Sequence, residues 1–168
     1  MLVNFDMTTH EYNKTVDEWS DRVFAYVLKL VKDREMAEDF VQDIYEKLWK
    51  KVDEVSYEKA KSYLFTSAYH AVVDWSRREK LKRTHAKTEL SEVKRDEQDH
   101  SKELQVLIDK GLNLLSEQQR QLILLRDYEG YSYDEIGEMT ELSEAQVKVY
   151  IFRGRKQLKE FITEHWMS

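Results

Sequence analysis

The sequence predicts an all-α protein of two small helical domains joined by a polar linker, the second domain ending in a helix-turn-helix. Three observations predict it. Proline is absent and only four glycines occur in 168 residues, so little in the chain breaks helices. Apolar residues recur at helical spacing through most of the chain. Capping boxes mark helix starts: Thr8 with Glu11, Ser116 with Gln119, Ser132 with Glu135 and Ser143 with Gln146, each a hydroxyl followed three residues later by a carboxyl or amide that satisfies the free amides of a first turn.

The first domain is expected over residues 9–83, after a frayed start at residues 1–8. Its first helix carries Val16, Trp19, Val23, Val27, Leu30 and Val31 on one face. Asp33 is a plausible N-cap for the second, which runs from about Glu35 to Lys51 and places Ala37, Phe40, Val41, Ile44, Leu48, Trp49 and Val52 toward a core. The opposite face carries Asp39, Gln42, Asp43 and Glu46, at i, i+3, i+4 and i+7. An acidic, amide-bearing ridge of this kind is either a solvated face or a docking surface for a basic partner. After a short loop at Asp53–Ser56, a third helix is expected from Tyr57 to Lys82, burying Ala60, Leu64, Ala68, Ala71, Val72 and Trp75. It ends in Arg77, Arg78, Lys80, Lys82 and Arg83. Cations at a helix C-terminus favour the dipole, but five within seven residues exceed what a cap requires. With Tyr63, Tyr69, His70 and Trp75 upstream, the helix has the cationic and aromatic groups that suit nucleic acid.

Residues 84–102 are polar and acidic, with few apolar positions, and read as the linker. The second domain is expected over 103–165. One helix carries Leu104, Leu107, Ile108, Leu112 and Leu115. The next, capped by Ser116, carries Leu122, Ile123, Leu125 and Tyr128, and Gly130 ends it in the left-handed conformation. Two short patterns follow between Tyr131 and Leu158. The first buries Ile136 and Met139, and the second buries Val147, Ile151, Gly154 and Leu158, with Gly137 and Gly154 permitting close helix approach. Ala145, Lys148, Val149, Phe152, Arg153 and Lys156 remain outward. A short helix, a tight break and a helix with a basic and aromatic face read as a DNA-binding helix-turn-helix; an ordinary helical hairpin with a solvated face is the plainer alternative.

Composition removes other classes. Cysteine is absent, which excludes disulfides and thiol chemistry and fits a reducing cytoplasm. The five histidines are scattered, so no zinc spacing exists, and no glycine-rich phosphate loop or nucleophile elbow occurs. No metal, cofactor or enzyme site is expected. No apolar run is long enough to span a bilayer, and the N-terminus lacks the pattern of a signal peptide. The net charge is −6, awkward for a nucleic-acid binder, although residues 56–85 carry a local excess of four positive charges. Phosphate neutralisation supplies most non-specific affinity, so such a chain should bind free DNA weakly and read it with help.

In this order and spacing the motifs resemble the bacterial extracytoplasmic-function (ECF) sigma factors, the small two-domain specificity subunits of RNA polymerase, over residues 10–162. Ala37-Glu38-Asp39-Phe40-Val41-Gln42-Asp43 is similar to the family's segment that docks on the clamp helices of the polymerase largest subunit. The helix from Ala68-Tyr69-His70 through Asp74 to Arg77-Arg78 resembles the one that meets and melts the −10 element, although the family often has Asn at the position of His70 and a basic residue at that of Tyr69. The Asp53–Tyr57 loop lies where the family captures a flipped −10 base. Leu115-Ser116-Glu117-Gln118-Gln119-Arg120 resembles the start of the −35-reading domain, with Ser116 in place of the usual Pro. Val147 to Arg155 is similar to the recognition helix, with Val149 and Tyr150 where Ser and Arg are common, which implies a different −35 sequence with more apolar contact.

The resemblance implies core RNA polymerase and promoter DNA as partners and admits an anti-sigma factor. It assigns Asp39, Gln42, Asp43 and Glu46 to the polymerase, and Tyr69, His70, Arg77, Arg78, Lys80 and Lys82 to the −10 element. Lys148, Val149, Phe152, Arg153, Arg155 and Lys156 fall to the −35 element, with Arg155 and Lys156 on phosphates. Two other readings of the same residues are a free-standing helix-turn-helix regulator that binds DNA as a dimer, and a sigma-like adaptor that binds a regulatory protein.

Overall fold

The computed structural model describes residues 7–82 and 100–166, and every regular element among them is helical. The elements are α1 (Thr9–Val31), α2 (Arg34–Lys50), α3 (Ala60–Lys82), α4 (His100–Leu114), α5 (Glu117–Ile123), α6 (Tyr133–Thr140) and α7 (Glu144–Trp166). Of the linker expected at 84–102, residues 84–99 lie outside the described residues, and 100–102 form the first turn of α4, so that helix starts three residues before its expected position. The chain divides into two compact units, Met1–Ser76 and Arg77–Ser168.

In the first unit, the Thr8–Glu11 capping box starts α1 as expected: the Thr8 amide donates to Glu11 Oε1 and the Glu11 amide to Thr8 Oγ1, both at 3.1 Å. Lys32 takes the left-handed conformation (φ 58°) that ends α1, and Asp33 accepts from the Met36 amide at 3.0 Å to start α2. Val23, Tyr26, Val27 and Leu30 of α1, Ala37, Ile44, Tyr45 and Leu48 of α2, and Leu64, Phe65, Ala68 and Val72 of α3 are all buried, and α1 packs along α2. The Tyr26 and Phe65 rings meet edge to face at 5.6 Å and join α1 to α3. Of residues 1–8, expected to fray, 1–6 lie outside the described residues, and Met7 is held in place. Its side chain is buried, and its amide donates to Val52 O at 2.7 Å, which fastens it to the α2–α3 connection. Tyr57–Lys59 form a 3₁₀ turn ahead of α3 rather than its first α-helical turn.

The second unit is built around α5. Leu122, Ile123, Leu124 and Leu125 are all buried, four residues in succession. A stretch buried on every side needs neighbours on every side: α5 packs on α7, the turn that continues it, Leu124–Tyr128, packs on α6, and Arg120 ties α5 to the end of α4. Past Ile123 the helix widens: the Glu129 amide reaches back five residues to Leu124 O at 3.1 Å, and Gly130, at φ +78°, ends the turn. Tyr128, expected in the core, stands exposed because the widened turn rotates it outward. Leu104 too is more exposed than its helical spacing implied.

A buried guanidinium fixes α5 against α4. Arg120 donates from Nε to Leu112 O at 2.8 Å, and from Nη2 to Leu115 O at 3.1 Å and Asn113 O at 3.2 Å. These are carbonyls from the end of α4 and the residue after it, groups that a helix terminus leaves without intrahelical partners. Burial pushes the Arg120 guanidinium below its ordinary pKa, with the charge of Glu117 opposing.

The helix-turn-helix forms as expected. The capping boxes of α6 and α7 are both closed, by Ser132 with Glu135 and by Ser143 with Gln146. Between the helices, Glu141 takes the left-handed conformation (φ 62°), and the Leu142 amide donates to Gly137 O at 3.2 Å. A Cβ on Gly137 would lie 2.9 Å from Leu142 O, a backbone atom of the turn. A Cβ on Gly154 would lie 2.6 Å from Ile123 Cδ1, so α7 rests directly on α5. Val147, Ile151 and Gly154 are buried as expected, and Leu158 is half-buried.

Two stability outcomes follow. Arg120→Met keeps most of the volume and removes three charge-assisted hydrogen bonds, so it should destabilise the second unit by about 2–4 kcal/mol. Urea titration read by hydrogen exchange in α4 and α5 measures it, and a loss below about 0.5 kcal/mol would mean that water serves those carbonyls as well. Gly137→Ala should lower the melting temperature of the same unit, against the rise that roughly 1 kcal/mol of added helix propensity alone would give. An unchanged or raised melting temperature would show that the turn shifts freely.

Candidate nucleic-acid interface

Three surfaces stand out. The first is the ridge on α2. Asp39, Gln42, Asp43 and Glu46 are all exposed, opposite the buried Ala37, Ile44 and Leu48. The ridge is held from beneath by paired tyrosines. The Tyr45 phenol donates to Thr15 O at 2.8 Å, and the Tyr12 phenol donates to Tyr45 O at 3.1 Å. These bonds lock α2 on α1, and burial drives the Tyr45 phenol well above its ordinary pKa. Glu46 shares its charge with Lys50 at 3.2 Å. Trp49, expected in the core, is 50% exposed and rests edge-on against Tyr12 at 5.0 Å. It lies three residues beyond Glu46 and seven beyond Gln42, so it continues the ridge. Helical spacing alone did not separate it from the core, because it borders the stripes of both faces.

The second surface is α3 and the groove beside it. Arg77, Arg78, Lys80 and Lys82 are exposed, and His70 is half-buried. Tyr69 is a correction: only 4% of it is exposed, and its ring meets the His70 ring edge-on at 5.1 Å. The reason is geometric. Leu64, Phe65, Ala68, Tyr69 and Val72 are all buried, so two adjacent stripes of α3 face inward, where the sequence indicated one, and Tyr69 lies on the second. Ala71 and Trp75, expected in the core, are correspondingly half-buried. Between the end of α2, the connection after it and α3 runs an open groove of about 630 Å³ lined by Lys47, Lys51, Lys59, Tyr63, Ser67 and His70, among others. Sequence reasoning missed its three lysines. Each reads as helix or loop surface by itself, and only the packing of α2 beside α3 gathers them.

The third surface is the outer face of α7. Ala145, Lys148, Val149, Phe152, Arg153 and Lys156 are all exposed there, as expected. Two of the expected cations are already engaged. Lys148 lies 3.1 Å from Glu144 and over the Tyr133 ring. Arg155 forks onto Asp127, donating from Nε to Oδ2 at 3.0 Å and from Nη2 to Oδ1. This bond raises the Arg155 pKa further. Asp127 sits on the widened turn after α5, which also sends Arg126 to stack on Tyr133 at 4.4 Å and to donate to Tyr131 O at 2.9 Å.

Among the described residues no helix is long and apolar enough to cross a membrane, and no cluster of His, Cys, Asp or Glu could hold a metal.

These surfaces coincide with two family models. Residues 15–82 match sigma-70 region 2, and residues 105–158 match sigma-70 region 4. The chain is 24% identical over 152 residues to the ECF RNA polymerase sigma factor SigM of Bacillus subtilis (strain 168), covering 86% of this chain and 93% of SigM. It is 27% identical over 154 residues to the ECF RNA polymerase sigma factor SigX of the same organism, covering 86% of this chain and 79% of SigX. The fold is similar to that of the sigma factor RpoE of Bartonella quintana, solved in complex with the anti-sigma factor NepR, with a TM-score of 0.76, 23% identity and coverage of 92% of this chain and 98% of that one. With both sigma-70 regions in order, the chain belongs to the ECF family of RNA polymerase sigma factors and directs promoter-specific transcription initiation.

Proposed function

We propose that this sigma factor docks on core RNA polymerase through Asp39, Gln42, Asp43 and Glu46, with Trp49 adding an aromatic contact at the end of the ridge. The observation that carries this is the exposure of all four ridge residues on a helix whose opposite face is locked down by Tyr45. Charge-depleted aromatic anchors beside charged groups are the pattern of interface hot spots. The −10 element is opened by His70, Arg77, Arg78, Lys80 and Lys82. Lys47, Lys51 and Lys59 line the groove that receives the separated strand and neutralise its phosphates. Tyr69 supports this helix from within the core.

The −35 element is read by Lys148, Val149, Phe152, Arg153 and Lys156. Arg155 reaches a phosphate by exchanging Asp127 for it. Residues 9–83 and 103–165 act as two promoter-reading domains, with 84–102 as the tether between them. The chain contributes no catalytic group of its own; the chemistry belongs to the polymerase, in the cytoplasm. An anti-sigma factor, as found with RpoE of Bartonella quintana, is its regulatory partner.

Run-off transcription with purified core polymerase tests the docking surface. Asp39→Arg with Asp43→Arg should weaken core binding at least ten-fold and abolish promoter-specific transcripts while the helical circular dichroism is unchanged. Unaltered core affinity would place the docking surface elsewhere. A second experiment isolates Asp127. Freeing Arg155 by Asp127→Asn should tighten holoenzyme binding to promoter and non-promoter DNA alike, and steepen the dependence of log K on log salt by about 0.9, the increment for one further phosphate contact. The exposed ion pair itself contributes no more than about 1 kcal/mol to stability. An unchanged slope would mean that Arg155 does not reach phosphate.

A further inference from the structure

We propose that α7 selects its DNA through the 5-methyl groups of thymine, contacted by Val149 and Phe152, rather than through side-chain hydrogen bonds to base edges. The inference rests on the reading of α7 as the −35 helix and names what it reads.

A recognition helix meets base edges with the residues of its N-terminal part. In the first turns of α7 the outward line is Ala145, Val149 and Phe152, spaced i, i+4 and i+7, and none of these side chains can form a hydrogen bond to a base. Val149 is 45% exposed and Phe152 is 70% exposed, so this line leaves substantial apolar surface in water on an otherwise charged helix. Three hydrogen-bonding side chains nearby already have partners. Gln146 Oε1 accepts from the Ser143 amide at 2.9 Å, Lys148 pairs with Glu144 at 3.1 Å, and Arg155 is forked onto Asp127. Arg153 and Lys156, at i+4 and i+7 from Val149, stand on the same side one to two turns later and suit the flanking phosphates.

The edges of the major groove offer hydrogen-bond donors and acceptors at every base pair, and one apolar feature, the thymine methyl. An apolar line that enters the groove between phosphate-binding cations fits that feature. Cytosine in the same place would present its N4 amine to groups that cannot accept from it. The methyl would instead bury against valine or the phenyl ring, an effect of about four-fold in affinity per methyl group.

The test uses holoenzyme reconstituted from the full chain and core polymerase, on the promoter identified by sequencing transcript 5′ ends. Each thymine of the −35 element, on either strand, is replaced by deoxyuridine, which removes the methyl and leaves pairing and charge. Initiation at subsaturating holoenzyme should fall about four-fold per contacted methyl. The penalty at one position should vanish in Val149→Ala and at another in Phe152→Ala, both exposed residues whose truncation leaves the core intact. Equal initiation on thymine and uracil templates would overturn the proposal, as would penalties that persist unchanged in both variants, or a −35 element without thymine. Scrambling the −35 element separates the two levels of failure. If scrambling abolishes initiation but deoxyuridine does not affect it, only the methyl readout fails. If scrambling has no effect, the reading of α7 as the −35 helix fails with it.

Discussion

The second unit depends on one cation in an unusual place. Arg120 is 91% removed from solvent, and it spends its donors on three carbonyls at the end of α4. A buried charge without partners would be heavily penalised; here the end of α4 supplies them, since that terminus is left with unpaired carbonyls and the negative end of its dipole. The bonds also tie α5 to the end of α4. Helix α7 then rests on both: Gly154 lets it lie against Ile123 and Gln119 of α5, and Gly111 of α4 meets Leu158 and Phe161. The outer face of α7 is therefore held by close contacts at two glycines, over a pair of helices that a guanidinium joins.

The first unit solves a different problem. It must present a charged ridge and still hold α2 still, and the ridge residues themselves contribute little to packing. Tyr12, Thr15 and Tyr45 supply the rigidity from the inner side through two phenol–carbonyl bonds. If the ridge docks as proposed, its firmly seated helix loses little conformational entropy on binding, which favours affinity without additional contacts.

Most of this was legible in the sequence where the signal was local. The four capping boxes and the Asp33 cap close as the residue types require, because a cap is a contact between neighbours in the chain. The outward line of α7 was equally readable, since Val147, Ile151 and Gly154 define its inner face. What escaped was decided by neighbours distant in sequence. Tyr69 and Trp49 exchanged places relative to expectation, one buried and one exposed, because an aromatic ring satisfies either face of an amphipathic helix and the surrounding tertiary packing decides between them. Met7 was read as frayed because its partner, Val52, is 45 residues away. The widened turn after Ile123 has no sequence signature that periodicity detects, yet it turns Tyr128 outward and brings Asp127 to Arg155. The groove lysines, likewise, become a site only through the pairing of two helices.

The charge of the chain acquires a physical meaning from these pairs. A sigma factor that bound DNA tightly by itself would be held on the chromosome away from polymerase. The net charge of −6 weakens that attraction at long range, and the pairing of Lys148 with Glu144 and of Arg155 with Asp127 weakens it at contact. A phosphate that reaches Lys148 or Arg155 must displace a carboxylate before it gains the cation, so electrostatic binding to arbitrary sequence is reduced there, whereas the methyl contacts proposed for Val149 and Phe152 bear no such competition. On the reading proposed for α7, the helix thereby gives up affinity that every DNA sequence would share and keeps the part that distinguishes one sequence from another, leaving the polymerase to supply the remainder.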